Sequence, residues 1–126
     1  MGLGKTHQAM ALMVSIMARE KKNRFLVVCP TSVLYHWKDK LTQFAPSFSI
    51  SVYHGPLRNH ADIGTSDVTL TTYGILRRDC KYISEVFFEL VVFDEIQLVK
   101  NIKSQLYFEL RENGKIIDPK SKVEIL

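Results

Sequence analysis

Apolar positions along the chain fall into two kinds of pattern. Phe25-Leu26-Val27-Val28-Cys29 and the middle of Glu89–Asp94 are apolar at every position, as a strand covered on both faces requires. Ser49–His54 and Asp67–Thr72 are short runs rich in β-branched and aromatic residues and also read as strands. Between these runs, apolar residues recur at helical spacing and predict helices over Thr6–Lys22, Val33–Phe44 and Tyr73–Val86. Turn chemistry sits where the pattern changes, at Cys29-Pro30-Thr31-Ser32, Ala45-Pro46-Ser47 and His54-Gly55-Pro56, with Ser32 placed to cap the helix behind it. Strands alternating with helices imply an α/β fold with a mainly parallel sheet flanked by helices. After Asn101 the pattern is harder to read, and Glu112-Asn113-Gly114-Lys115 reads as a tight turn between two short strands.

Composition narrows the class without naming a function. A chain of 126 residues has room for one domain, and 46% hydrophobic with 24% charged residues excludes a disordered tail or a fibrous repeat. A formal charge of +4 permits contact with phosphate backbones but does not by itself establish it. Cys29 and Cys80 have no metal-ligand spacing and form no disulfide framework, which favours a reducing compartment. His36, His54 and His60 lack a ligand spacing too. The longest apolar stretch, Ala9–Met17, is too short to cross a bilayer, and no basic leader or cleavage site precedes it. The expected setting is intracellular, with no membrane partner.

Two short motifs carry chemistry. Gly2-Leu3-Gly4-Lys5-Thr6 opens an amphipathic helix and matches the second half of a Walker A loop. In such a loop, glycines let backbone N–H groups close around phosphate oxygens. The lysine neutralises the outer phosphates and the threonine hydroxyl reaches a magnesium ion. Taken alone, Gly-Lys-Thr also fits an ordinary capped helix start. The second motif is Asp94-Glu95, delivered by Leu90-Val91-Val92-Phe93 to the carboxyl end of an apolar strand, where open α/β sheets place their ligands. An acid there can hold magnesium and its neighbour can orient and deprotonate water; the same pair also fits a strand that simply ends in two solvated acids.

Further blocks occur in order between these two. Asp94-Glu95-Ile96-Gln97-Leu98-Val99-Lys100-Asn101 resembles motif II of the Swi/Snf family of helicase-like ATPases, and Met1–Thr6 is similar to its motif I. Leu26–Leu34 with Trp37 resembles motif Ia. Phe44-Ala45-Pro46, Tyr53-His54-Gly55 with Arg58, and Thr71-Thr72-Tyr73 with Leu76 and Asp79 resemble the stretch through motif Ib. The resemblance covers residues 1–105 and leaves 106–126 as an unassigned tail. It implies part of the first RecA-like, P-loop lobe of a motor that tracks duplex DNA using ATP and Mg2+, in a bacterial cytoplasm or nucleoid or a eukaryotic nucleus. On this resemblance Gly2, Leu3, Gly4, Lys5 and Thr6 bind the nucleotide, Thr6 and Asp94 hold the metal, and Lys5, Glu95 and Gln97 are catalytic. Pro30, Thr31, Ser32, Thr72 and Tyr73 lie near the DNA backbone, where hydroxyl and main-chain donors position phosphates without reading sequence. Trp37 is expected to pack in the core rather than stack on a base.

The chain departs from the family pattern in ways that set further expectations. Ile96 stands where a small residue is usual, no Leu-Thr-Gly-Thr-Pro block follows motif II, and no second RecA-like lobe with its arginine fingers is present. The chain therefore reads as a lobe cut short at both ends and feeble in hydrolysis by itself. The alternative is a catalytically dead nucleic-acid or protein interaction module derived from such a lobe; the ordered motif Ia and Ib matches argue against an unrelated small P-loop kinase. Because the strand leading into a Walker loop normally lies inside the sheet, a gap is expected beside the strand ending at Asp94. The tail is expected to form a local hairpin rather than to fill that gap, giving a poorly cooperative fold with an open edge.

Overall fold

The computed structural model describes residues 2–19, 24–95 and 122–126. Helix α1 spans Gly2–Arg19 and leads to strand β1, Phe25–Cys29. A 3-10 turn over Thr31–Val33 opens helix α2, Leu34–Phe44. Strands β2, Ile50–Val52, and β3, Val68–Thr72, follow, then the short helices α3, Tyr73–Arg78, and α4, Cys80–Ile83. Strands β4, Leu90–Phe93, and β5, Lys122–Ile125, complete a five-stranded sheet in the order β2-β3-β1-β4-β5, with every pair parallel.

Register decides what the sheet can present. Cys29 pairs with Thr72 and Val28 with Phe93, so β1, β3 and β4 end almost level, and Pro30, Tyr73 and Asp94 leave from one edge. The β1, β3 and β4 strands are buried at every described position, as their unbroken apolar or threonine-rich sequences require. Alternate side chains feed two core layers. Phe25, Val27, Leu70 and Val92 meet α1 and α2 on one side, while Leu26, Val28, Val91 and Phe93 meet α3 and α4 on the other. Each such side chain, fully removed from water, contributes roughly 1.5–3 kcal/mol, so the two layers supply the main drive for folding.

The structure differs from the sequence reading in four places. First, β5 runs parallel along β4, pairing Leu90 with Lys122 and Phe93 with Ile125, and Leu126 N–H donates to the Phe93 carbonyl at 2.9 Å. The flank of β4 is therefore filled, and the expected gap is corrected. Parallel pairing needs a crossover of about a dozen residues or more, which the chain between Glu95 and Lys122 is long enough to provide and which no local pattern reveals. The Asn113-Gly114 turn lies outside the described residues.

Second, the helix predicted over Tyr73–Val86 is broken at Asp79, whose φ of −109° and ψ of 19° leave the helical range while its carboxylate is drawn to Arg58 and Tyr53. Third, α1 begins at Gly2, so the residues expected to loop around phosphate form the first turn of a helix instead. Leu3 and Lys5 are good helix formers, and local N–H to C=O pairing continues through them. Fourth, Ser32 does not cap α2. It lies exposed inside the 3-10 turn, where Val33 N–H donates to the Pro30 carbonyl at 3.1 Å, and Val33 becomes the capping position without a side-chain bond. Elsewhere a glycine is required: Gly64 has φ +78°, and a Cβ there would come within 2.6 Å of Val86 Cγ1.

Candidate functional site

Asp94 is the most constrained acid at the level strand ends. Its N–H donates to the Val28 carbonyl at 2.9 Å, which extends the β4 ladder past its last strand residue. Its own carbonyl accepts from the Tyr73 hydroxyl at 2.8 Å, and its Oδ2 accepts from Trp37 Nε1–H at 2.8 Å. Asp94 is 7% exposed, and among the described residues no group donates to its Oδ1. The next residue, Glu95, has φ 55°, a left-handed backbone rarely taken by a glutamate. The negative charge is felt by its neighbours. Burial, with Asp94 adding to it, pushes the Cys29 thiol up to about 12, and burial followed by Asp94 raises the Tyr73 hydroxyl well above the usual tyrosine range. Cys29 is thus a neutral buried thiol, as its apolar sequence context suggests.

The other residues singled out by sequence divide into three groups. Thr31 and Ser32 are exposed and Pro30 is half-buried, all on the turn that leaves β1 at the edge holding Asp94. Thr72 and Tyr73 reach the same edge but are buried: the Thr72 hydroxyl accepts from Ile75 N–H at 3.4 Å to cap α3, and the Tyr73 hydroxyl is engaged with Asp94. Their side chains serve the fold, which leaves only main-chain groups for an outside ligand. Lys5 is exposed and Thr6 buried in the first turns of α1. His7, beside them, meets the Phe44 ring edge-on at 6.0 Å, at the far end of α2 from Trp37. Trp37 and Phe44 are separated by about two helical turns at ~1.5 Å per residue. Among the described residues, no ion pair joins Lys5 to Asp94 or Glu95. Gln97, with Ile96, lies outside the described residues.

A second acid is bound very differently. Asp79 accepts from Arg58 Nε at 2.7 Å and Nη2 at 3.2 Å, and from the Tyr53 hydroxyl at 2.5 Å, while Arg58 Nη1 also donates to the Gly55 carbonyl at 2.8 Å. Arg58 holds the Asp79 carboxyl below the usual aspartate range, and burial with Asp79 pushes Tyr53 up to about 12. Sequence reading noted these three residues without pairing them. The sequence held no local signal for the pairing, since Asp79 falls in the middle of the helix predicted over Tyr73–Val86. The Trp37 bond to Asp94 was also missed, although a buried indole N–H ordinarily finds an acceptor.

The SNF2-related domain family matches residues 1–116, past the Gln105 limit of the motif resemblance. The chain belongs to the SNF2-related domain family. Chromodomain-helicase-DNA-binding protein 1-like of Danio rerio is 35% identical over 120 residues, covering 89% of this chain and 12% of that protein. The ATP-dependent helicase FUN30 of Saccharomyces cerevisiae is 31% identical over 121 residues, covering 87% and 11%. The Sulfolobus solfataricus SWI2/SNF2 ATPase core in complex with dsDNA superposes with a TM-score of 0.81 at 32% identity, covering 99% of this chain and 25% of that one. The SNF2-related chain therefore spans about an eighth of the curated relatives it matches. Its parallel sheet flanked by helices is the RecA-like architecture of that core. Among its described residues, no helix is long and apolar enough to cross a membrane.

Proposed function

We propose that this chain is part of the ATP-binding motor lobe of a Swi/Snf-type, DNA-dependent ATPase and translocase. The observation that carries the reading is Asp94: a carboxylate fixed at the carboxyl edge of three level strands, with one oxygen unoccupied by any described group, in a chain of the SNF2-related family. Gly2, Leu3, Gly4, Lys5 and Thr6 form a helix start whose N–H groups suit phosphate oxygens, and Lys5 is exposed to add a positive charge. Because that turn stands by the far end of α2, nucleotide binding on this reading draws it toward the strand ends.

The acids suit magnesium. Among the described residues, no three His, Cys, Asp or Glu side chains cluster as a metal site, and magnesium commonly rests on one or two carboxylates plus substrate phosphates. Asp94 would hold it, with Thr6 as the second protein oxygen. When bound, magnesium neutralises charge on the outer phosphates. Glu95 orients and deprotonates the attacking water, and Gln97 couples nucleotide state to the rest of the site. Duplex DNA lies along the turn of Pro30, Thr31 and Ser32, with main-chain groups of Thr72 and Tyr73 near it; a second RecA-like lobe completes the motor. Calorimetry tests the reading. The parent chain should bind magnesium–ADP and Lys5→Ala should not; binding undiminished in that variant would show that the phosphate-site assignment is wrong.

The position of α1 favours one second reading, an interaction module that keeps the lobe's DNA-facing turn without its chemistry. It is distinguished by duplex DNA binding that fades with salt in a chain showing no nucleotide heat at all.

A further inference from the structure

Trp37 is the chain's one tryptophan, is 2% exposed, and spends its only polar atom on Asp94. Indole offers a donor and no acceptor, and it carries no charge. It can therefore fix the orientation of a carboxylate without neutralising it, unlike the guanidinium that Arg58 gives to Asp79. With Oδ2 engaged by Trp37, the carbonyl by Tyr73 and the N–H by Val28, Oδ1 is the Asp94 oxygen that no described group occupies. The indole is itself immobilised in the core layer that includes Leu34, Leu41 and Val92.

Trp37 also occupies the first turn of α2, directly behind the Thr31–Val33 turn that exposes Thr31 and Ser32. A shift of the Asp94 carboxylate is thereby passed to the head of that helix through one hydrogen bond. We propose that Trp37 is a positioning residue that, by holding Oδ2, aims Oδ1 of Asp94 at a divalent cation and links occupancy of that acid to the exposed Thr31-Ser32 turn. The proposal rests on the nucleotide-site reading above, and the experiment separates the two.

A single tryptophan gives a single indole resonance in a nitrogen–proton correlation spectrum, so the bond can be followed directly in the full chain. Asp94→Ala should move that resonance, and titrating magnesium into the ADP-saturated parent chain should move it together with the amides of Thr31 and Ser32. Trp37→Phe keeps an aromatic ring and removes the N–H. It should weaken magnesium affinity by about 10-fold or more, the usual scale for losing a group that orients a metal ligand, while metal-free ADP binds as before. Equal loss of ADP and magnesium binding would mark Trp37 as a packing residue only, and unchanged magnesium affinity in a folded Trp37→Phe would overturn the proposal outright. If that variant does not fold, the parent titration decides, and an indole resonance unmoved at saturating magnesium overturns the proposal. A parent chain that binds no magnesium with ADP, and responds no differently as Asp94→Ala, removes the nucleotide-site reading itself.

Discussion

Two aspartates of this chain are both nearly buried and held by neighbouring side chains, and they are held in opposite ways. Asp79 is saturated: a guanidinium grips both its oxygens, a phenol adds a third donor, and the ion pair with Arg58 is the single one among the described residues. Among the described residues, Asp94 receives one neutral side-chain donor, on one oxygen. An acid surrounded like Asp79 fastens segments together, in this case the Tyr53–Arg58 loop to the junction of α3 and α4. An acid surrounded like Asp94 is held stiffly by a single neutral donor among the described side chains, at the sheet edge where ligands of α/β folds bind. The contrast separates a carboxylate that fastens the fold from the one proposed to bind a ligand.

Mutating each acid sharpens that contrast. Asp79→Ala leaves Arg58 and Tyr53 without their acceptor at a half-buried site, and urea unfolding should register a clear loss of stability, the largest of this set. Asp94→Asn keeps an oxygen for Trp37 and should change the same midpoint by less than about 1 kcal/mol while losing magnesium affinity. Equal destabilisation by both would erase the distinction.

Acid provides a smaller and graded test. Arg58 depresses the folded pKa of Asp79, so the stability this acid contributes is complete above the unfolded aspartate value of about 3.9 and is lost as pH falls through the folded one. Urea midpoints of the parent chain should drop steeply below about pH 4, and Asp79→Asn should flatten that part of the profile. A parallel profile in the variant would show that other carboxylates govern acid unfolding. Smallest is Tyr53→Phe, which removes one of three donors from an acid that keeps Arg58; a loss of about 1 kcal/mol in the same assay is expected, and a loss equal to that of Asp79→Ala would mean the phenol, not the guanidinium, anchors the cluster.

What the sequence made legible follows from how local its causes are. Phe25–Cys29 and Leu90–Phe93 are apolar at each step, so their identity as covered strands needed no partner to be known. The placing of Asp94 at the carboxyl end of its strand was likewise legible, whereas the level ends that bring it to the edge of Pro30 and Tyr73 are set by strand register. Features set by distant contacts were not legible. Nothing within Lys122–Ile125 says that it lies against β4, and the bend at Asp79 is imposed by Arg58, which is remote in sequence. Burial of Trp37 was readable from its place on the inward stripe of α2, whereas its acceptor lies 57 residues away. The Gly2–Thr6 segment was read as a phosphate loop because its residue types suit one; the helix it forms obeys propensity, which that motif does not record.

The left-handed backbone of Glu95 sets stability against the side chain that stands there. A conformation of that kind holds a non-glycine residue at a cost of order 1–3 kcal/mol, and glycine or asparagine would occupy it more comfortably. Random substitution screened for stability alone would drift toward those residues at this position. On the proposed role of Glu95 beside Asp94, a library selected for heat resistance should discard Glu95 readily and one selected for nucleotide turnover in a complete motor should keep it.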